Sequence, residues 1–225
     1  MFFKSDYRDL MPLESETGGT PPEKEGFRRF FELLALNCAA LLKANVLFVL
    51  CCIPIVTVPI GIFALNRVML RIVLDQPVKS LQIFGETFRR GWKQSYLAFF
   101  LTAVPLICGG YGMWFYITRV ASNPLLFLLF LVCSTIFLAA LLSSVCLYGF
   151  LTSGKSLQEA LRLALVIGIG KPKRTIPCAL LLYGFLAVAV LAFPISALYL
   201  LLIGFALPCM IGNFFIRVFL DPLLV

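Results

Sequence analysis

Four long stretches of this chain carry no charge: Ala44–Asn66 (23 residues), Gln94–Thr118 (25), Val120–Gly154 (35) and Thr175–Ile216 (42). About 20 apolar residues cross a bilayer as a helix, so each run is long enough and the last fits two spans. Inside hydrocarbon every backbone polar group must be satisfied internally, which helices do within one segment. The chain is 61% apolar with a mean hydropathy of +0.99, against about 45–50% apolar for soluble domains. The expectation is an all-α fold, a polytopic helical membrane bundle with about five to six membrane segments. A flexible tail over residues 1–25 precedes a single helical membrane domain over 26–225. The tail is polar and acidic-leaning, and the start Met1-Phe2-Phe3-Lys4-Ser5 lacks the basic-then-apolar order of a cleaved signal.

The first uncharged run is the unusual one. Asn45 lies near its start, and Pro54 and Pro59 flank Thr57 in its middle. Each proline removes a helix hydrogen bond and crowds the preceding turn. The run therefore either crosses once or turns back as a Pro-broken hairpin or re-entrant element. Charge decides between these. A single crossing divides the 19 lysines and arginines as 12 against 7; a turn-back puts all but Arg119 on one side. The positive-inside rule favours the second arrangement, with both termini cytoplasmic. A re-entrant loop would keep Lys43 and Arg67 at the inner surface. A full hairpin of Phe27–Ile53 and Pro59–Leu74 would bury Lys43, Arg67 and Arg71 more deeply, facing the bundle or snorkelling.

Between the runs lie short basic connectors. Phe27 to Leu42 has helical periodicity, with Phe27, Phe30, Phe31 and Leu34 on one side. In Arg67–Lys93, Leu81, Phe84, Phe88 and Trp92 recur at three- and four-residue spacing, which predicts an amphipathic interfacial helix with an aromatic anchor. In Lys155–Arg174, Ser156 and Glu159 form a capping box ahead of a stripe of Leu157, Ala160, Leu161 and Ala164. These are the two amphipathic helices of the expected fold. Lys79-Ser80-Leu81-Gln82 recurs as Lys155-Ser156-Leu157-Gln158, and Arg71-x-x-Leu74-Asp75 is echoed by Arg217-x-x-Leu220-Asp221. An Arg and Asp four apart on a helix can pair. The spans themselves carry close-packing signals: Gly109, Gly110 and Gly112, then Ala139, Ala140, Ser143 and Ser144. Pro124 to Thr152 as one helix would be about 44 Å long. The last run divides near Pro194 and Ser196.

The order Asn45-x-Leu47-Phe48, Ile53-Pro54-Ile55-Val56-Thr57, Gly61 and Ala64-Leu65, followed by Phe84, Phe88 and Gly91-Trp92-Lys93-Gln94-Ser95, resembles the YesL-like family of bacterial membrane proteins of unknown function. The likeness is densest over residues 27–100. One departure is Val58-Pro59, where such sequences are expected to read Ile-Gly-Pro. The resemblance implies a Gram-positive-type bacterial inner (cell) membrane protein, multi-pass, and an accessory role beside sugar uptake. It carries no catalytic residues.

Chemistry is sparse. Histidine is absent, which removes the usual general base and the commonest metal ligand. The eight cysteines show no C-x-x-C spacing and sit in or beside apolar runs, as packing residues do. Gly168-x-Gly170-Lys171-Pro172 lacks the spacing of a phosphate-cradling loop. No enzyme, metal, cofactor or nucleic-acid partner is expected; the net charge of +8 suits anionic lipid of the bilayer. An accessory or scaffold protein, attached to a membrane transporter complex, is the first expectation, and a small transporter or channel subunit the alternative. The polar candidates inside the apolar runs are Asn45, Thr57, Asn66 and Asn213, with Asn37 and Lys43 beside them. With Pro54, Pro59, Gly61, Phe84 and Trp92, Asn45 and Thr57 make up the candidate site.

Overall fold

The computed structural model describes residues 26–119, 125–192 and 197–224. The expected tail at 1–25, the turn before Leu125 and the turn at Pro194–Ser196 lie outside them. Among the described residues the fold is all-helical with no strand. Its order is α1 (Phe27–Leu36), α2 (Cys38–Cys52), a single 3₁₀ turn (Ile55–Thr57), α3 (Val58–Val73), α4 (Ser80–Arg90), α5 (Trp92–Ile117), α6 (Leu125–Thr152), α7 (Leu157–Gly170), α8 (Pro172–Leu191), α9 (Ala197–Tyr199), a π-helical stretch (Leu200–Gly204) and α10 (Ala206–Leu224). Four helices are long and apolar enough to cross a membrane, or five if the bent pair α1 and α2 counts as one.

The expected single helix over Phe27–Leu42 is broken. Asn37 ends α1 by donating Nδ2 to the Leu33 carbonyl at 3.1 Å, and α2 leaves at 72°. A long first arm from Phe27 to Ile53 therefore does not form. α2 and α3 instead pair as a short hairpin of 15 and 16 residues, about 22 and 24 Å at 1.5 Å per residue. Gly61 permits the pairing: a Cβ there would lie 3.2 Å from Phe48 Cδ2 and 3.4 Å from Cys51 Cβ. The tip is apolar and bare, with Ile53, Ile55 and Val56 all exposed.

α3 is the axis of the molecule. From Pro59 to Leu70 only Ile62 is less than buried. Leu65, Val68, Met69 and Ile72 join Leu33, Leu41, Phe48, Ile83, Phe84 and Met210 in one core. Phe63 and Leu70 join Ala98, Leu147, Phe150, Ala160 and Ile216 in a second. α3 and α10 thus lie between an N-terminal layer and the long outer helices. The most apolar stretches of α5 and α6 are almost wholly uncovered, whereas that of Ile55–Val73 is mostly buried, so α5 and α6 present their apolar surface outward.

The small residues sit where helices touch. A Cβ on Gly109 would fall 3.0 Å from Phe137 Cβ, and one on Gly168 would fall 3.1 Å from Ser143 Cα. The α5–α6 and α6–α7 contacts rest on these approaches. α5 runs through Pro105 as one helix.

The two copies of Lys-Ser-Leu-Gln begin helices differently. Ser156 caps α7 with the expected capping box. In the first copy Lys79 takes the cap position, Ser80 is already helical, and no side chain caps the start. The reason is Ile83, which stands where the second copy has Glu159. The apolar face of α4 is also shifted: Ser80, Ile83, Phe84 and Thr87 are buried, whereas Leu81 and Trp92 are exposed. Trp92 belongs to α5, beyond the Gly91 break.

Candidate functional site

The bundle buries a set of asparagines, and the way each is used defines what the site can do. Asn45 is wholly buried on α2. Its Nδ2 donates to the carbonyls of Leu200 at 2.8 Å and Leu201 at 2.7 Å. Its Oδ1 accepts from the backbone N–H of Phe205 at 3.0 Å and of Ala206 at 2.9 Å. An asparagine amide has two donors and two acceptor positions, so the side chain is saturated. The last helix has opened by one turn, and an amide from α2 fills the gap in its hydrogen-bond ladder. The π-helical stretch is the local form of that opening. Gly204 belongs to it for steric reasons, since a Cβ there would meet Leu200 Cδ2 at 3.0 Å and the Tyr199 carbonyl at 3.2 Å.

A second pair lies between α3 and α10. Asn213 Nδ2 donates to Asn66 Oδ1 at 3.1 Å and to the Cys209 carbonyl at 2.8 Å. Asn66 Nδ2 donates to the Ile62 carbonyl at 2.9 Å and reaches Cys209 Sγ at 3.8 Å. Flipping the Asn213 amide would set oxygen against two acceptors, so its orientation is fixed. Its Oδ1 is buried with no hydrogen-bond partner, facing Gly149, whose missing Cβ would lie 3.3 Å away. Farther along the outer helices, the Thr102 and Tyr148 hydroxyls meet at 3.3 Å, and those of Ser144 and Tyr183 are hydrogen-bonded.

The hairpin tip uses its polar groups on its own backbone. Thr57 Oγ1 donates toward the carbonyls of Cys51 and, at 2.8 Å, Pro54. The Tyr96 hydroxyl donates to the Val56 carbonyl. An irregular turn in an apolar setting needs such partners for the carbonyls it frees. Pro59 sits in the first turn of α3, where its missing N–H costs nothing, while Pro54 is exposed in the turn itself. Phe84 is a core residue of α4. Trp92 is half exposed, with Lys93 Nζ 5.4 Å from its ring.

The candidate residues from the sequence therefore do not converge on one place. Asn45 reaches the last helix; Pro54, Thr57, Pro59 and Gly61 shape the hairpin; Phe84 packs beneath it; Trp92 begins the next helix. Of the charged residues around the run, Arg67 is buried, with Nη1 3.4 Å from Thr87 Oγ1, and Lys43 is exposed. Sequence reasoning missed the Leu200–Gly204 opening and the Tyr96 contact. Gly204 within an apolar helix was the one signal for the first; nothing marked the second. No group of three or more potential metal ligands occurs among the described residues.

An all-helical bundle with several bilayer-length apolar helices is the class this structure defines. Residues 41–109 match the model of a family described as a protein of unknown function, DUF624. No curated protein matches the chain, and no solved structure does. The matched segment holds the hairpin, α4 and most of α5, and with them Asn45, Thr57 and Gly61, but not the helix that Asn45 enters.

Proposed function

We propose that this chain is a YesL-like membrane accessory or scaffold protein, with no catalytic activity of its own, working beside a carbohydrate transporter in the bacterial cell membrane. The observation that carries the reading is the saturation of Asn45 between α2 and the last helix, with Asn66 accepting from Asn213 between α3 and α10. Buried polar groups that hold helices to one another serve assembly rather than turnover. The family matched over residues 41–109 includes YesL-like proteins, and the sugar-uptake setting is what the resemblance adds.

The same reading places the α2–α3 hairpin as a re-entrant element with both termini in the cytoplasm. It is supported by the pairing of α2 with α3, by the length of α2, about 22 Å against a hydrocarbon layer of roughly 30 Å, and by the positive-inside count. Arg28→Cys and Lys79→Cys, which flank the hairpin, are expected to label from the same membrane face; labelling from opposite faces, as a single crossing requires, would remove this topology.

The deciding experiment is cross-linking in native membranes followed by isolation in mild detergent. A transporter membrane subunit recovered in stoichiometric amount is the expected result. The second reading is a small transporter or channel subunit, favoured by the interrupted last helix and the unpartnered Asn213 carbonyl. Solute uptake by the purified protein alone in liposomes would establish that reading and overturn the first.

A further inference from the structure

We propose that the corner between α7 and α8 binds an anionic phospholipid, with Lys173 and Arg174 holding the headgroup phosphate. The covering of α6 changes along its length. From Leu125 to Leu141 no residue is buried, and from Leu142 to Thr152 all but Tyr148 are. α8 meets that edge a little after its start, where Cys178 and Ala179 pack with Leu142 and Val145 in one small core. Arg174 stands four residues before Cys178, about 6 Å along the helix. Lys173 and Arg174 are both exposed. They therefore lie just outside the apolar belt, at the depth of the headgroups.

The surface around these cations has the pattern of a lipid. Lys173, Ile176 and Leu180 are exposed and recur at three- and four-residue spacing, so one face of α8 begins with a charge and continues apolar. On the other side of the corner the outer face of α7 changes in the same sense. Gln158, Glu159 and Arg162 are exposed at its start, and Leu165, Val166 and Ile169 near its end. Cations set between two apolar surfaces need a counter-charge. The chain offers none: the first turn of α8 holds no acidic residue, and among the described residues neither side chain makes an ion pair or hydrogen bond. The corner is also held in shape. Thr175 is wholly buried, and its Oγ1 donates to the carbonyls of Ile167 at 3.3 Å and Lys171 at 2.8 Å. Lys171 is engaged elsewhere, with Nζ 4.7 Å from the Phe219 ring. That leaves an ammonium and a forked guanidinium side by side, donors that match phosphate oxygens, with the acyl chains along Ile176 and Leu180.

The test is native mass spectrometry of the full chain in mild detergent, given equal amounts of phosphatidylglycerol and phosphatidylcholine with matched chains. The wild type is expected to retain phosphatidylglycerol at least about tenfold more than phosphatidylcholine. Lys173→Gln/Arg174→Gln is expected to lose that preference, and the charge-keeping Lys173→Arg/Arg174→Lys to hold it. Arg89→Gln/Lys93→Gln removes the same charge from exposed positions elsewhere and should leave the preference within about twofold. A wild type with no preference, an unchanged Lys173→Gln/Arg174→Gln variant, or equal losses in the two charge-removing pairs overturns the proposal. If the first Gln pair does not fold, the wild type decides alone in rising ammonium acetate. Its preference is expected to fall with salt, and a salt-independent preference overturns the proposal.

Discussion

Arg29 Nη2 donates to Asp75 Oδ2 at 2.7 Å, joining the first turn of α1 to the residue that follows α3 across 46 positions of sequence. The expected partner of Asp75 was Arg71, four residues earlier on a common helix. α3 stops at Val73, however, and Asp75 has a left-handed backbone with φ of 56°, which points its carboxylate away from that helix. The hydrogen bond to Asp75 raises the Arg29 guanidinium pKa above its usual value, and burial opposes it. Both side chains are partly exposed, so a double-mutant cycle with Arg29→Ala and Asp75→Ala should give a coupling below about 1 kcal/mol, weakening in salt. A left-handed β-branched residue is costlier, and Asp75→Val should lose about 1–2 kcal/mol through its backbone alone. A Val variant as stable as Asp75→Ala would contradict that.

Asn45→Ala should destabilise by about 1–3 kcal/mol in thermal unfolding in detergent, the range for losing buried hydrogen bonds. Asn45→Asp should do worse. A carboxylate keeps the acceptors for Phe205 and Ala206 but sets its other oxygen against the Leu200 and Leu201 carbonyls, unpaired and buried. The reverse order would mean that the donor half of Asn45 contributes nothing.

Gly168→Ala and Gly184→Ala should change stability in opposite directions. The new methyl at 168 meets Ser143 backbone atoms at 3.1 and 3.2 Å, which cannot yield as a side-chain end can, so about 1–3 kcal/mol is lost. At 184 nothing lies within 4 Å, and alanine in mid-helix should gain about 0.5–1 kcal/mol. Paired unfolding midpoints decide it.

Ser156→Ala should cost about 0.5–1 kcal/mol, the low end for a helix cap, because the bonds of its capping box are long, 3.3 and 3.4 Å. Ser80→Ala should cost less, since Ser80 caps nothing. Equal losses measured side by side would restore the equivalence of the two Lys-Ser-Leu-Gln segments.

Much of this architecture was legible in the letters because bilayer solvation writes itself into charge-free length. The turn near Pro54–Pro59, the small-residue contacts at Gly109 and Ser143, and the Ser156 cap all follow from local chemistry. The break at Asn37 was not legible, because an asparagine that bonds its own Leu33 carbonyl looks the same in sequence as one that does not. The shifted face of α4 escaped for a related reason. Leu81 and Trp92 fit the helical spacing, but Ile83 and Thr87 fit a neighbouring stripe, and only the position of α3 chooses between them. Asn45 was legible as a polar residue in an apolar run. Its purpose was not, because the groups it serves lie more than 150 residues away.

That separation sets a timetable for synthesis. The Asn45 amide leaves the ribosome 155 residues before the Leu200 carbonyl it will meet, an interval of about 8–30 s at ordinary translation rates. Throughout it the first hairpin holds an unsatisfied polar side chain among apolar neighbours. The first hairpin of the newborn chain is therefore incomplete until the residues before α10 are made, and a helix synthesised late finishes one synthesised early.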